Sequence, residues 1–197
     1  LDGEPADTEA ALALSVNGQT LNDEFVNATA TIGEKIVLRR FEILTKNDNE
    51  IFGDYIHMGG KIAVAVVLDK DDAELGKGLA MHIAANAPKY LDKSEIGEDV
   101  IAHETEVQMN TAKNDPKLAG KPEQMLAKII EGKVNKYFAD MLLTEQIYLM
   151  DPDQSKKVGQ VLAEKGVKVL KFVRYQVGEG IEKRKDDFAS EVMEQMK

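Results

Sequence analysis

Residues 51–68 read "IFGDYIHMGGKIAVAVVL", and the fold depends on how they pair. Two runs rich in Ile, Val and Tyr, 51–58 and 61–68, flank Gly59-Gly60. This pattern predicts a β-hairpin, because two-residue turns of type I′ or II′ need positive φ, which glycine adopts at little cost. Such a turn sets His57 opposite Ile62, Tyr55 opposite Val64 and Gly53 opposite Val66. His57 then lies on the apolar face of the sheet, at its very end, with Met58 at the lip of the turn. Catalysis, metal binding, core packing and contact with a partner are all open readings of that placement.

Working outward, "EKIVLRRFEIL" (34–44) alternates as a strand does, and "TKNDNE" after it is a polar turn. On the other side, "DDAELGKGLAMHIAANAPKYL" (71–91) is an amphipathic helix. Leu75, Leu79, His82 or Ile83, and Asn86 follow its period, and Pro88 ends it. Its small residues Ala80, Ala84 and Ala85 allow close packing on a sheet. The first 35 residues read as helical. "PADTEAALALSV" runs to the turn dipeptide Asn17-Gly18; a second helix starts at the cap Thr20, with Asp23 three residues on, and stops at Gly33.

The middle of the chain changes character. Between Glu95 and Lys113, Ile96, Val100, His103 and Val107 recur at 4-3-4 spacing, a narrow seam. "NDPKLAGKP" breaks that helix, and Pro122 suits the first position of the next. There Met125, Leu126, Ile129, Ile130, Val134, Tyr137, Phe138 and Met141 form a broader stripe. Two such helices joined by a short turn make an antiparallel hairpin, each arm reaching roughly 30 Å. In the last quarter Ser155 is placed to cap "KKVGQVLAEK", with Gly166 as its stop. "VKVLKFVRYQV" (167–177) reads as a strand with Val169, Val173, Tyr175 and Val177 on one face. "DDFASEVMEQM" then closes the chain as a short helix.

The expected fold class is therefore α+β: an antiparallel sheet packed with helices, an inserted antiparallel helical hairpin (coiled coil) and a C-terminal helix. The expected division is an N-terminal helical segment, 1–31; a core formed by 32–94 and 143–185; the inserted hairpin, 95–142; and a C-terminal helical module, 186–197.

Composition narrows the function. The net charge of −10 disfavours a broad nucleic-acid footprint. With no cysteine there is no thiolate nucleophile, disulfide or Cys-based zinc site, which fits a reducing compartment. No apolar stretch approaches the roughly 20 residues that span a bilayer. "LDGEPADTEA" is no signal peptide, so the cytoplasm is the expected location. The chain begins with Leu1 rather than Met, as a processed or truncated piece would.

Chemistry is sparse. His82 reads as a core or core-edge residue, and His103 as a polar contact on the hairpin seam. Asp71-Asp72 and Asp186-Asp187 suit helix N-termini, where carboxylates favour the dipole. No phosphate loop, GxSxG, HExxH or dinucleotide fingerprint occurs. His57-Met58 at the turn tip, Leu149-Met150 where the hairpin rejoins the core, and Ile32-Gly33 at a helix end would together make a protein-binding rim. Two other readings stand beside that one: a small enzyme using His57 as general base, and a self-associating helical hairpin.

Five segments carry a resemblance: "TIGEKIVLRRFEIL", "YIHMGGKIAVAV", "AMHIAANAPKYL", "KPEQMLAKIIEGKVNKYFADMLLTEQIYLMDP" and "FVRYQVGEGIEKRKDDFASEVMEQM". In this order they resemble bacterial elongation factor Ts from about residue 31 onward. The resemblance implies a guanine-nucleotide exchange factor that binds the GTPase elongation factor Tu, promotes GDP release, cleaves nothing and needs no cofactor. It implies partner contacts at Ile32 and Gly33 in the "IGE" segment, at His57 before the glycine turn, and at Leu149 and Met150 after the hairpin. Members of that family begin with a three-helix module resembling a ubiquitin-associated domain, followed by a Thr-Asp-Phe-Val segment. These 197 residues contain neither. The resemblance is thus to the C-terminal portion, and exchange by this chain is expected to be weak.

Overall fold

The computed structural model describes residues 3–116, 118 and 121–180. The chain divides into two compact units, Leu1–Lys46 and Asn47–Lys197. The expected C-terminal helix, 186–197, lies outside the described residues.

In the first unit, α1 (Thr8–Leu12) is capped by Asp7, whose carboxylate accepts the Ala10 N–H at 2.8 Å. It is shorter than the helix expected from "PADTEAALALSV". Asn17 (φ 52°) and Gly18 (φ 87°) instead make the turn of a small hairpin, β1 (Ser15–Val16) against β2 (Gln19–Thr20). Asn-Gly is a strong hairpin signal, and here it takes the preceding residues out of the helix. α2 (Leu21–Ile32) follows the expectation closely. Thr20 Oγ1 accepts the Asp23 N–H at 3.1 Å, Asp23 Oδ2 accepts the Thr20 N–H at 3.2 Å, and left-handed Gly33 (φ 79°) ends the helix.

Residues 34–44 were expected to form a strand; they have no regular secondary structure. Their alternation is nonetheless real: Ile36, Leu38, Phe41 and Ile43 are half-buried, whereas Glu34, Val37, Arg39 and Glu42 are exposed. Alternation describes an extended chain with one sheltered side. A strand also requires ladder pairing, and the registers of the sheet do not include this segment.

The second unit is built on three antiparallel strands in the order β3 (Ile51–His57), β4 (Ile62–Leu68), β5 (Val169–Gln176). The β3–β4 register is the expected one, with His57 opposite Ile62, Tyr55 opposite Val64 and Gly53 opposite Val66. The turn itself is longer than two residues. Met58–Gly60 form a single 3-10 turn, with φ of 52° at Met58, 65° at Gly59 and 94° at Gly60. β4 is the central strand, which explains its continuous apolar run; Val66, Val67 and Leu68 are all buried.

α3 (Ala73–Asn86) crosses this sheet. Asp72 caps it by accepting the Leu75 N–H at 2.9 Å, and Ala87 ends it in the left-handed region at φ 47°. Close approach comes from glycines more than from the alanines named in the sequence: a Cβ on Gly53 would stand 2.4 Å from the Gly76 carbonyl. Ala80 and Ala84 are buried, but Ala85 is exposed. Leu68, Leu79, Ile83, Leu143 and Val158 are fully buried in the main core. Each contributes about 1.5–3 kcal/mol by leaving water.

β5 corrects one expectation. Lys171 pairs with Val67 but Val169 with Leu68, so Leu170 is the extra residue of a bulge. The bulge reverses the alternation. Val169, Phe172 and Arg174 therefore share the face toward α3, and Val173 and Tyr175 take the opposite face. Arg174 donates to the Ala84 carbonyl from Nε and Nη2 at 3.4 and 3.3 Å, which fixes that orientation.

The helical hairpin is α4 (Glu98–Lys113) and α5 (Glu123–Ala139). Its root is closed by backbone bonds: Lys89 and Tyr90 donate to the Met141 carbonyl at 2.9 and 3.1 Å, and Leu143 donates to that of Tyr90 at 2.9 Å. Pro122 stands one position before the helix rather than inside it. On α5 the predicted stripe is seen at Leu126, Ile129, Ile130, Val134 and Phe138 and continues just past the helix at Met141, while Met125 and Tyr137 are exposed. On α4 the seam is displaced by one residue. Ile101, Glu104, Thr105, Gln108 and Ala112 are sheltered, and Val100, His103 and Val107 are exposed. Two stripes one residue apart differ by only about 100° around a helix. Small Ala112 and the hydrogen-bonded pair Glu104–Gln108, 2.7 Å apart, make the inner one. His103 is therefore not the expected seam contact.

α6 (Val158–Lys165) begins after Lys157, not Ser155. The Ser155 N–H is taken up by Asp151 Oδ2 at 2.8 Å, and Gln160 Oε1 accepts the Lys157 N–H at 2.8 Å. Gly166 (φ 61°) is the stop.

Candidate partner-binding edges

The six candidate residues occupy three places. Ile32 and Gly33, at the end of α2, are exposed, Ile32 by 61%. The left-handed Gly33 turns the chain there, so the last apolar side chain of α2 is left at its tip rather than covered by a further turn of helix.

His57 and Met58 sit at the tip of the β3–β4 hairpin. His57 is exposed on the same face as Tyr55, as the register requires. Tyr55 Oη and His57 Nδ1 share a hydrogen bond of 3.0 Å, and the two rings stand 5.6 Å apart. Met58, 61% exposed with positive φ, projects from the turn. Among the described residues no carboxylate hydrogen-bonds or ion-pairs with His57. No group of three or more His, Asp or Glu side chains converges as a metal site among them. A general base would need an orienting acid and a reacting partner at hand, and His57 is oriented by a phenol alone.

Leu149 and Met150 lie at the head of a loop between the hairpin root and α6, about 40% exposed each. The loop is closed below them, where Tyr148 N–H donates to the Lys156 carbonyl at 2.8 Å and Val158 N–H to that of Gln146 at 2.9 Å. Asp151 stiffens its far side, accepting from the backbone of Ser155 and Lys156 at 2.8 and 3.0 Å. Those two backbone bonds hold the Asp151 carboxyl below its ordinary range. Tyr148 is buried against Gly78 of α3, and the exclusion of water from its phenol, with Asp72 and Glu74 nearby, pushes its titration up. A notch beside it is lined by Glu74, Lys77, Met81 and Met150.

Sequence reasoning missed what supports this loop. His82 is fully buried, and it joins Gln146, Asn86 and the Leu149 amide. Its periodicity marked it as inward-facing but could not name partners more than 60 residues away. Gly78, a glycine within a helical pattern, was the local sign of a close approach by this loop.

The arrangement is thus an α+β scaffold whose candidate residues are apolar or aromatic side chains at edges and turn tips. The Elongation factor TS family profile matches residues 1–179. The chain is 47% identical over 192 residues to "Elongation factor Ts" of Pediococcus pentosaceus, covering 98% of this chain and 64% of that relative. It is 45% identical over 194 residues to the factor of Lacticaseibacillus casei, with 98% and 64% covered. For Oenococcus oeni the identity is 43% over 196 residues, 100% of this chain and 65% of the relative. The chain belongs to the elongation factor Ts family. It spans about 64% of the length of the curated relatives it matches.

Proposed function

We propose that this chain acts in translation elongation by docking on the GTPase elongation factor Tu, as part of a guanine-nucleotide exchange factor that promotes GDP release. The observation that carries this reading is the identity of 45–47% over 98% of the chain to proteins named elongation factor Ts. The contacts we assign are Ile32, Gly33, His57, Met58, Leu149 and Met150. Their exposure and their places at turn tips and helix ends support this assignment, since adaptable apolar side chains at such sites are typical of interface cores. In the same reading the chain works in the cytoplasm through binding alone, without a cofactor or a bond-making step. The same reading makes the helical hairpin, 95–142, an insertion into the α+β core. No helix among the described residues is long and apolar enough to cross a membrane.

Calorimetric titration against GDP-loaded and nucleotide-free elongation factor Tu, with and without Mg²⁺, tests docking. Binding to the nucleotide-free GTPase is expected, and its absence refutes the proposal. Stimulated GDP release is expected to be weak, because these residues lack a Thr-Asp-Phe-Val segment. A release rate equal to that of a full-length relative would contradict that expectation.

A further inference from the structure

A histidine with no exposed surface at all is unusual unless its ring nitrogens are satisfied. On α3, His82 is such a residue. Its Nδ1 lies 3.1 Å from the Leu149 backbone nitrogen and 3.1 Å from Asn86 Nδ2. Its Nε2 lies 2.9 Å from Gln146 Oε1. A backbone N–H only donates, so Nδ1 must be the unprotonated acceptor, and the ring proton sits on Nε2, directed at the Gln146 oxygen. Gln146 in turn donates from Nε2 to the Asp140 carbonyl at 2.7 Å, at the end of α5. The network therefore runs from the Leu149 amide through α3 to the base of the helical hairpin.

We infer that His82 is a positioning residue for the Leu149-Met150 edge: through Nδ1 it holds the Leu149 amide and so fixes the loop that presents both apolar side chains. The neighbouring amides, Tyr148 and Asp151, are held by carbonyls of the loop itself. The Leu149 amide is instead held from outside the loop, across 67 residues of chain. A leucine in place of His82 would fill the core equally well and leave that amide buried without a partner. The inference deepens the docking reading and rests on it where binding is concerned.

The test compares His82→Asn with His82→Gln. Asparagine places its side-chain oxygen near the position of Nδ1 and keeps the acceptor. Glutamine reaches toward the Nε2 position and does not. Hydrogen exchange at the Leu149 amide, melting temperature and affinity for nucleotide-free elongation factor Tu are measured on all three chains. H82Q is expected to speed Leu149 exchange and weaken binding by about tenfold each, with β4 amides still protected. H82N is expected to restore most of both. Unchanged Leu149 exchange in H82Q overturns the inference, as does equal loss in both variants that tracks melting temperature. Should H82Q not fold, the wild-type chain decides. The ¹⁵N spectrum must show an Nε2–H tautomer with a coupling across the hydrogen bond from Leu149 to Nδ1, and an Nδ1–H tautomer refutes the strut. If the wild-type chain does not bind the GTPase, the docking reading fails, while the exchange measurement still judges the role of His82.

Discussion

At Gly78 a single hydrogen separates α3 from the loop that carries Leu149 and Met150. A Cβ there would stand 2.2 Å from Tyr148 Oη and 3.3 Å from Met150 Cγ. Gly78→Ala is expected to displace Tyr148 from its seat and to lower stability by about 1–3 kcal/mol in urea unfolding, the usual cost of overpacking. Unaltered stability would show that the ring shifts freely. His82 sets a pH dependence at the same place. Burial holds its imidazole below the usual value, opposed in part by the bond to Gln146. The unfolded chain therefore takes up the proton first as pH falls. Stability attached to His82 is complete above about pH 6.5 and is lost progressively from there down to the folded value. His82→Leu should flatten that part of the stability profile; a profile unchanged by the substitution would assign the dependence to other groups.

Secondary-structure elements were legible where local chemistry leaves one choice. Glycines after β3 set the hairpin register to the residue, and Thr20–Asp23 and Gly33 bounded α2. They were illegible where a tertiary partner decides. The bulge at Leu170 turns β5 over just after its first residue, because an extra residue is accommodated against β4 and nothing in "VKVLKFVRYQV" marks it. The seam of α4 is offset because α5 selects between two nearly equal stripes. Segment 34–44 alternates without joining the ladder. Caps are the most local of these devices, and Asp72 tests them. It accepts the Leu75 N–H at 2.9 Å and bonds Lys165 at 2.7 Å, and the Lys165 bond, followed by that amide, lowers its carboxyl below the ordinary range. Asp72→Ala should cost about 1 kcal/mol, mostly through the cap, since the ion pair is largely exposed. A depressed carboxylate favours folding above its unfolded value, near 3.9, and the contribution fades as pH drops through the folded one. The difference between D72A and wild type should therefore vanish in acid, and a constant difference across pH would contradict the cap.

Across the whole molecule, the sequence foretold that Ile32, Met58, Leu149 and Met150 would be left exposed, but not what holds them there. It misplaced Val100, Val107, Met125 and Tyr137 on sheltered seams. Exposure at a turn tip follows from a local signal such as Gly59-Gly60. Support for Leu149 depends on His82, Asn86 and Gln146, brought together only when the sheet, α3 and the hairpin root have assembled. The proposed function makes the edges, not the helical hairpin, the surface that meets the GTPase. Hydrogen exchange of the chain alone and in complex with nucleotide-free elongation factor Tu tests this most directly. Slowed exchange is predicted at 29–36, 55–62 and 146–152, with α4 and α5 exchanging as in the free chain. Protection confined to 98–139, with the three edges unchanged, would contradict the account.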